Sequence, residues 1–273
     1  MPARHAAALP DSGAEDYDRL APAVWNPVSN AVVAAADVLV GERVLDVFAA
    51  TGSGTIPAAQ LAGPSGHVDA VDRSSAMLDL AEAKAEALGL GNVSFHRSDP
   101  ARWVPDAAYD AAVSCYGVLL LEEMDAGMDH IVRMLRPGGR IAISVWDEGA
   151  LDAFEGLLLD SVAAGRDGGE SGSDRIDVPV VGNRARLASS DRLRDWLQAR
   201  GLTDVAVEKL GLTVPLEPGH AWSFALGSGY RQLLPGSADA LQRVRRAFEE
   251  RLGEEFVLDA GSLIAVGHHQ PDS

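Results

Sequence analysis

The stretch Val44-Leu45-Asp46-Val47-Phe48-Ala49-Ala50-Thr51-Gly52-Ser53-Gly54-Thr55 decides the reading of this chain. Arg43 to Phe48 is a short apolar run of strand length, and the small residues after it mark a turn into a helix that runs through Ala62. Small residues at a strand-to-helix turn let a ligand approach the backbone closely. The helix start beyond them offers free N–H groups to an anion. Asp46 points an acid into the turn.

Outward from this loop, strands and helices alternate. Gly63-Pro64-Ser65-Gly66 is a turn, His67 to Val71 a second strand, and Ser74 to Leu88 a helix with Leu78, Ala81, Ala85 and Leu88 on one face. Val93 to Phe95, Tyr109 to Cys115 and Arg140 to Trp146 read as strands three to five, with a helix over Asp125 to Leu135 ended by Pro137-Gly138-Gly139. Repeated β-α units of this size predict a parallel sheet with helices on both faces. The second strand ends in Val71-Asp72, where a carboxylate can accept from both hydroxyls of a ribose. The third is followed by Ser98-Asp99, placed for an adenine amino group. Together these describe a site for an adenosine with a charged tail.

A nicotinamide site would require Gly-x-Gly-x-x-Gly, and Gly52-Ser53-Gly54-Thr55-Ile56-Pro57 lacks the third glycine. An acid ahead of the glycines suits a ligand with an ammonium group rather than a pyrophosphate. S-adenosylmethionine has that ammonium, a carboxylate and a ribose. A nicotinamide oxidoreductase is therefore the weaker reading.

The chain resembles the class I S-adenosylmethionine-dependent methyltransferases, in the small-molecule branch that includes the ubiquinone/menaquinone C-methylating enzymes. The resemblance rests on the Asp46 loop, Val71-Asp72-Arg73-Ser74-Ser75-Ala76-Met77-Leu78, Asp99, Tyr109-Asp110 and Leu135-Arg136-Pro137-Gly138-Gly139-Arg140, and it runs from Tyr17-Asp18-Arg19-Leu20-Ala21-Pro22 to the last strand. It implies an α/β, Rossmann-like fold with a seven-stranded sheet and an antiparallel final strand. By position it implies that Asp46 holds the methionine amino group and that Ala50, Thr51 and Gly52 line the methionine moiety. Asp72 would take the ribose hydroxyls, Arg73 and Met77 would flank the adenine near Asp99, and Cys115 would present backbone beside the reactive end. Tyr17 would belong to an N-terminal lid. The family pattern is acid-x-Gly-x-Gly-x-Gly, and here Phe48 and Ala50 replace its first two glycines. Alanine there is costly if φ is positive. This departure motivates the alternative of altered function, a cofactor-binding cyclase or a non-catalytic scaffold.

Residues 1–40 are expected to form the lid, 41–215 with 254–273 the cofactor-binding core, and 216–253 a helical cap. Within the cap, Leu233, Leu241, Val244, Phe248 and Leu252 form an apolar stripe that suits either a cover over the carboxyl edge of the sheet or a homodimer contact. Val28 to Val40, after a break at Pro27, reads as a helix, and Gly165 to Asp174 as a loop. Leu202 to Val207 and Ser262 to Gly267 read as the last strands. Methyl transfer needs alignment and, for a protonated nucleophile, a base. The candidates are Tyr116, Trp146, Asp147, His220 and Trp222, with His220 the best placed histidine and Trp25 a further wall of an apolar acceptor pocket.

Composition narrows the partners. The 273 residues carry a net charge of −17, which repels nucleic-acid backbones and anionic membrane surfaces. A single cysteine, Cys115, rules out an intrachain disulfide and a cysteine-based zinc site, and no His/Asp/Glu set has metal-ligand spacing, so no metal is expected. No apolar run suggests a membrane span or a signal peptide, so the expected location is cytoplasmic and the expected partner a small molecule.

Overall fold

A computed structural model describes residues 11–165 and 179–270. Nine strands are present among them: β1 Arg43–Val47, β2 His67–Asp72, β3 Val93–Arg97, β4 Tyr109–Cys115, β5 Leu135–Trp146, β6 Leu202–Leu210, β7 Thr213–Leu216, β8 Phe256–Asp259 and β9 Ser262–His269. Seven of them form one sheet in the order β3-β2-β1-β4-β5-β9-β6. The pairs among β1 to β5 are parallel, and β9 runs antiparallel to both β5 and β6. This is the Rossmann-like arrangement with an antiparallel last strand that the resemblance implied. The winding reverses between β1 and β4, the place where open α/β sheets bind ligands at their carboxyl ends.

The helices are α1 Ala14–Arg19, α2 Asn26–Ala35, α3 Thr55–Ala62, α4 Ser75–Ala87, α5 Met124–Arg133, α6 Asp152–Gly165, α7 Pro179–Leu187, α8 Ser190–Gln198, α9 Pro218–Gly227 and α10 Ala238–Leu252. Ser74 caps α4, its hydroxyl accepting from Met77 N at 3.2 Å. At the amino edge of the sheet, Arg140 forms a buried ion pair with Glu42 and donates to Ala36 O and Asp37 O, which pins the end of α2.

Several expectations change. Pro27 does not break the chain: it sits in the first turn of α2, where a missing N–H leaves no bond unmade. Pro137-Gly138-Gly139 does not end α5, which stops at Arg133. It lies inside β5, where Arg136 to Gly139 bulge out between the pairs Tyr109↔Leu135 and Ala111↔Arg140. The helix α7 and the ribbon β7–β8 were not foreseen, because four-residue strands, one containing Pro215, carry too little periodicity. Of the loop expected over Gly165 to Asp174, Gly165 ends α6 and residues 166–174 lie outside the described residues. In α10 the stripe residues Val244, Phe248 and Leu252 are buried within the chain, where α10 packs on α6.

Candidate functional site

The loop after β1 turns on three left-handed residues, Phe48 (φ +61°), Ala50 (φ +47°) and Gly52 (φ +87°). These are the three positions of the glycine pattern, so the backbone conformation is kept while two of its glycines are lost. Space is conserved by exchange. A Cβ on Gly117, beyond β4, would lie 2.6 Å from Phe48 Cβ, so the bulk of Phe48 occupies room that Gly117 leaves. The Arg73 guanidinium stands 5.7 Å over the Phe48 ring.

Asp72, at the end of β2, is buried and tied to the same loop. Its Oδ2 accepts from Ala50 N at 3.0 Å and its Oδ1 from Ser74 N at 2.9 Å. Burial raises its pKa against the pull of those amides. Asp46 lies deeper, 2% exposed, with Oδ2 accepting from the Thr55 hydroxyl at 2.6 Å. Burial pushes its pKa up to about 7, and Thr55 opposes the shift.

Phe48, Ala50, Asp72, Arg73, Met77 and Cys115 form the strand-end wall of a narrow cavity of about 90 Å³. Tyr17 and Trp25 close it from the N-terminal helices, Tyr116 and Trp146 form its base, and Phe224, Arg184 and Tyr230 complete the helical side. Tyr17 stacks on Trp25 at 4.6 Å, and Trp25 Nε1 donates to Tyr17 O at 2.8 Å. The helix α1 is held down on both flanks. Asp18 pairs with Lys84 of α4, and Asp16 accepts from Ser223 of α9 at 2.9 Å. A Cβ on Gly227 would overlap the Tyr17 backbone, so α9 approaches α1 closely only because that residue is glycine.

Tyr116 (φ +59°) stacks on Trp146 at 3.9 Å. Its hydroxyl lies 2.6 Å from Ser262 Oγ, and Ser262 spends its own proton on Ala260 O at 2.9 Å. Tyr116 is therefore the donor, and burial holds its phenol neutral. Burial likewise raises the Tyr17 phenol and the Cys115 thiol.

The remaining sequence candidates stand apart from this cavity. Asp99 accepts from Arg73 Nη2 at 2.7 Å and reaches the cavity wall only through that residue. Thr51 and Gly52 line a neighbouring groove with Lys84 and Asp18; the Thr51 hydroxyl is buried with no partner, and Thr51 O accepts from Lys84 Nζ at 2.8 Å. His220 is corrected as a cavity residue: it lies exposed at the start of α9, in a depression with Arg19 and Arg245. Trp222 is buried against Phe248. It is Phe224, two residues on and so across the helix from Trp222, that enters the cavity. Arg184, Phe224 and Tyr230 were missed; only an α9 wheel phased on its buried side would have pointed to one of them. Among the described residues, no group of three or more metal-ligating side chains is present, and no helix is long and apolar enough to cross a membrane.

Comparison with known proteins agrees with this geometry. Residues 44–139 match the methyltransferase-domain family profile. An uncharacterised protein of Mycobacterium tuberculosis is 31% identical over 195 residues, 70% of this chain and 67% of that one. Aklanonic acid methyltransferase of a Streptomyces species is 30% identical over 135 residues, 49% of this chain and 61% of that one. In fold the chain resembles a Haemonchus contortus phosphoethanolamine N-methyltransferase solved with S-adenosylhomocysteine, at TM-score 0.58, 17% identity, 96% of this chain and 58% of that one. The named relative is a methyltransferase, which does not favour the cyclase or scaffold alternative. With this strand-end loop, sheet order and set of relatives, the chain belongs to the class I S-adenosylmethionine-dependent methyltransferases of small-molecule type.

Proposed function

We propose that the enzyme methylates a small, largely apolar metabolite, of the kind made in secondary metabolism, by in-line displacement. The observation that carries this reading is the aromatic lining of the cavity, Trp25, Phe224 and Tyr230 facing the strand ends over a base that includes Trp146. Aromatic walls of this kind hold planar or apolar ligands. The Streptomyces relative, named as an aklanonic acid methyltransferase, supports a small-molecule acceptor.

The residues present fit S-adenosylmethionine. Asp72 is pre-oriented by two amides and faces the cavity, as a ribose acceptor must. Ala50 borders this cavity for the methionine moiety, whereas Thr51 and Gly52 shape the loop from the neighbouring groove. Asp46, buried behind the loop and bonded to Thr55, is assigned to the ammonium, Arg73 and Met77 would border the adenine, with Asp99 steering Arg73, and the backbone at Cys115 would border the reactive end. When bound, the cofactor supplies an electrophilic methyl group. The chain's own part is to bind, align and exclude water. Tyr116, its proton committed to Ser262, acts as a rigid platform and not as a base. Tyr17 presents a neutral phenol beside Cys115 and Asp72, able to donate to an oxygen of the acceptor. Residues 1–40 act as the lid and 216–253 as the cap around the 41–215 and 254–273 core.

The test is calorimetric titration with S-adenosylhomocysteine, followed by methyl transfer to a panel of aromatic and aliphatic acceptors. Transfer confined to charged, water-soluble acceptors would overturn the apolar assignment.

A further inference from the structure

One charged cluster interrupts the aromatic wall. Arg184 of α7 lines the cavity with 16% of its side chain exposed, and Nη1 bonds Tyr230 Oη at 2.9 Å and Glu155 Oε2 at 3.1 Å. Its Nη2 reaches Asp152 Oδ1 at 2.7 Å. A guanidinium has five N–H donors. Two are spent on Tyr230 and Asp152, with Glu155 an ion-pair neighbour of Nη1, which leaves the Nε–H and one Nη2–H among the free donors. Tyr230 in turn donates to Glu155 Oε2 at 2.8 Å, so its hydroxyl is fully used. Ser228, 8% exposed and lining the same cavity, accepts from Tyr230 N at 3.4 Å and keeps its own proton. Of this cluster, Arg184 and Ser228 line the cavity, and each keeps an N–H or O–H to donate.

The cluster is held in place independently of any ligand. Asn183, next to Arg184, donates from Nδ2 to Leu119 O at 3.0 Å and to Leu121 O at 2.9 Å, which fastens α7 to the segment after β4. From the cofactor side, the rings of Tyr17, Trp25, Phe224 and Tyr230 follow one another with centroid steps of 4.6, 5.6 and 6.2 Å, a row that leads from the lid to Arg184.

Charge selects among ligand groups. Arg184 is already flanked by two carboxylates, Asp152 and Glu155, so a further anion would meet net repulsion. An uncharged oxygen acceptor would not. We propose that Arg184, assisted by Ser228, is the specificity determinant of the acceptor site and holds a carbonyl-type oxygen on an otherwise apolar, planar acceptor. This rests on the acceptor reading given above and narrows it to planar molecules that carry an uncharged carbonyl oxygen.

The experiment uses a rigid matched pair, 9-fluorenone and fluorene, which differ by one carbonyl oxygen. Binding is read by quenching of tryptophan fluorescence in the full chain with saturating S-adenosylhomocysteine. Fluorenone is expected to bind about tenfold or more tightly than fluorene, the scale of a hydrogen bond to a charged donor. Arg184→Gln should erase that preference while leaving fluorene binding unchanged, and Asn183→Ala, which loosens α7 but keeps the guanidinium, should retain it. Ser228→Ala should reduce the preference in part. Equal binding of the pair by the unmodified protein, or a preference that survives Arg184→Gln, would overturn the proposal. So would fluorene-9-carboxylate binding more tightly than fluorenone. Because no turnover is measured, failure of methyl transfer to any acceptor would overturn the proposed reaction and leave this result legible by itself.

Discussion

The two walls of the cavity are built by different physics. The strand-end wall comes from short loops after β1, β2 and β4, and its shape is set by backbone: three residues in left-handed conformation and a carboxylate clamped by two amides. The helical wall comes from α1, α7, α9 and the turn Gly229–Leu233, and its shape is set by ring-on-ring packing such as Trp25 on Phe224 and Phe154 on Phe224. A wall made of backbone positions a ligand common to a whole family, whereas a wall made of side chains can be altered one residue at a time without disturbing the sheet. Substitutions on the two walls should therefore separate cofactor affinity from acceptor affinity and stability.

The largest effect is expected on the helical wall. Phe224 is 1% exposed and touches four other rings, so Phe224→Ala should cost about 3–5 kcal/mol in chemical denaturation. Affinity for S-adenosylhomocysteine in the folded fraction should change little; a large loss there would show that the walls are not separable. Asp72→Ala tests the opposite wall. It should weaken cofactor binding by about 1.5–3 kcal/mol, the scale of charge-assisted hydrogen bonds, and an unchanged calorimetric affinity with folding intact would refute the ribose assignment.

A pH titration sharpens the same wall. Burial raises Asp46 to about 7 in the free protein, so the carboxyl is increasingly protonated as pH falls through 7. An ammonium-bearing ligand requires the carboxylate. The dissociation constant for S-adenosylmethionine should therefore rise toward roughly tenfold per pH unit below 7, and Asp46→Asn should flatten that dependence. A flat profile in the unmodified enzyme would remove Asp46 from the ammonium site.

Smaller still is Ala50→Gly. The left-handed backbone costs an alanine about 1–2 kcal/mol, but the substitution gives up a buried methyl worth about 0.8 kcal/mol and adds glycine's chain entropy of about 0.5–1 kcal/mol. Stability should shift by less than about 1 kcal/mol, and cofactor affinity should hold or tighten. Much weaker binding would mark the methyl, which packs near Met77 and Tyr17, as an adapted contact. His220→Ala is expected to do least, with turnover within about twofold of the unmodified enzyme, as for surface changes remote from a site. A clear loss of turnover would bring the depression beside Arg19 into the mechanism.

The sequence was most informative where spacing alone determines placement. Asp46, Ala50 and Asp72 sit at strand ends that short apolar runs made visible, and the loop after each strand has little freedom to go elsewhere. The positive φ of Ala50 was readable only as a condition, and that of Phe48 not at all, since the residues themselves argue against it. Asp99 was placed correctly after β3 but not its partner, because nothing local announces that Arg73 will turn toward it.

What the sequence determined by itself is the alternation of strands and helices, the parallel sheet and the carboxylates at its carboxyl edge, all consequences of local periodicity and short connections. What only the tertiary structure decided is the other half of the cavity. Tyr17, Arg184, Phe224 and Tyr230 are brought together across separations of up to about two hundred residues by packing of helices whose individual patterns are compatible with more than one partner. The same holds for the removal of His220: position within the cap segment was legible, but the face it takes on α9 follows from which side of that helix α1 and Gly227 admit to close contact.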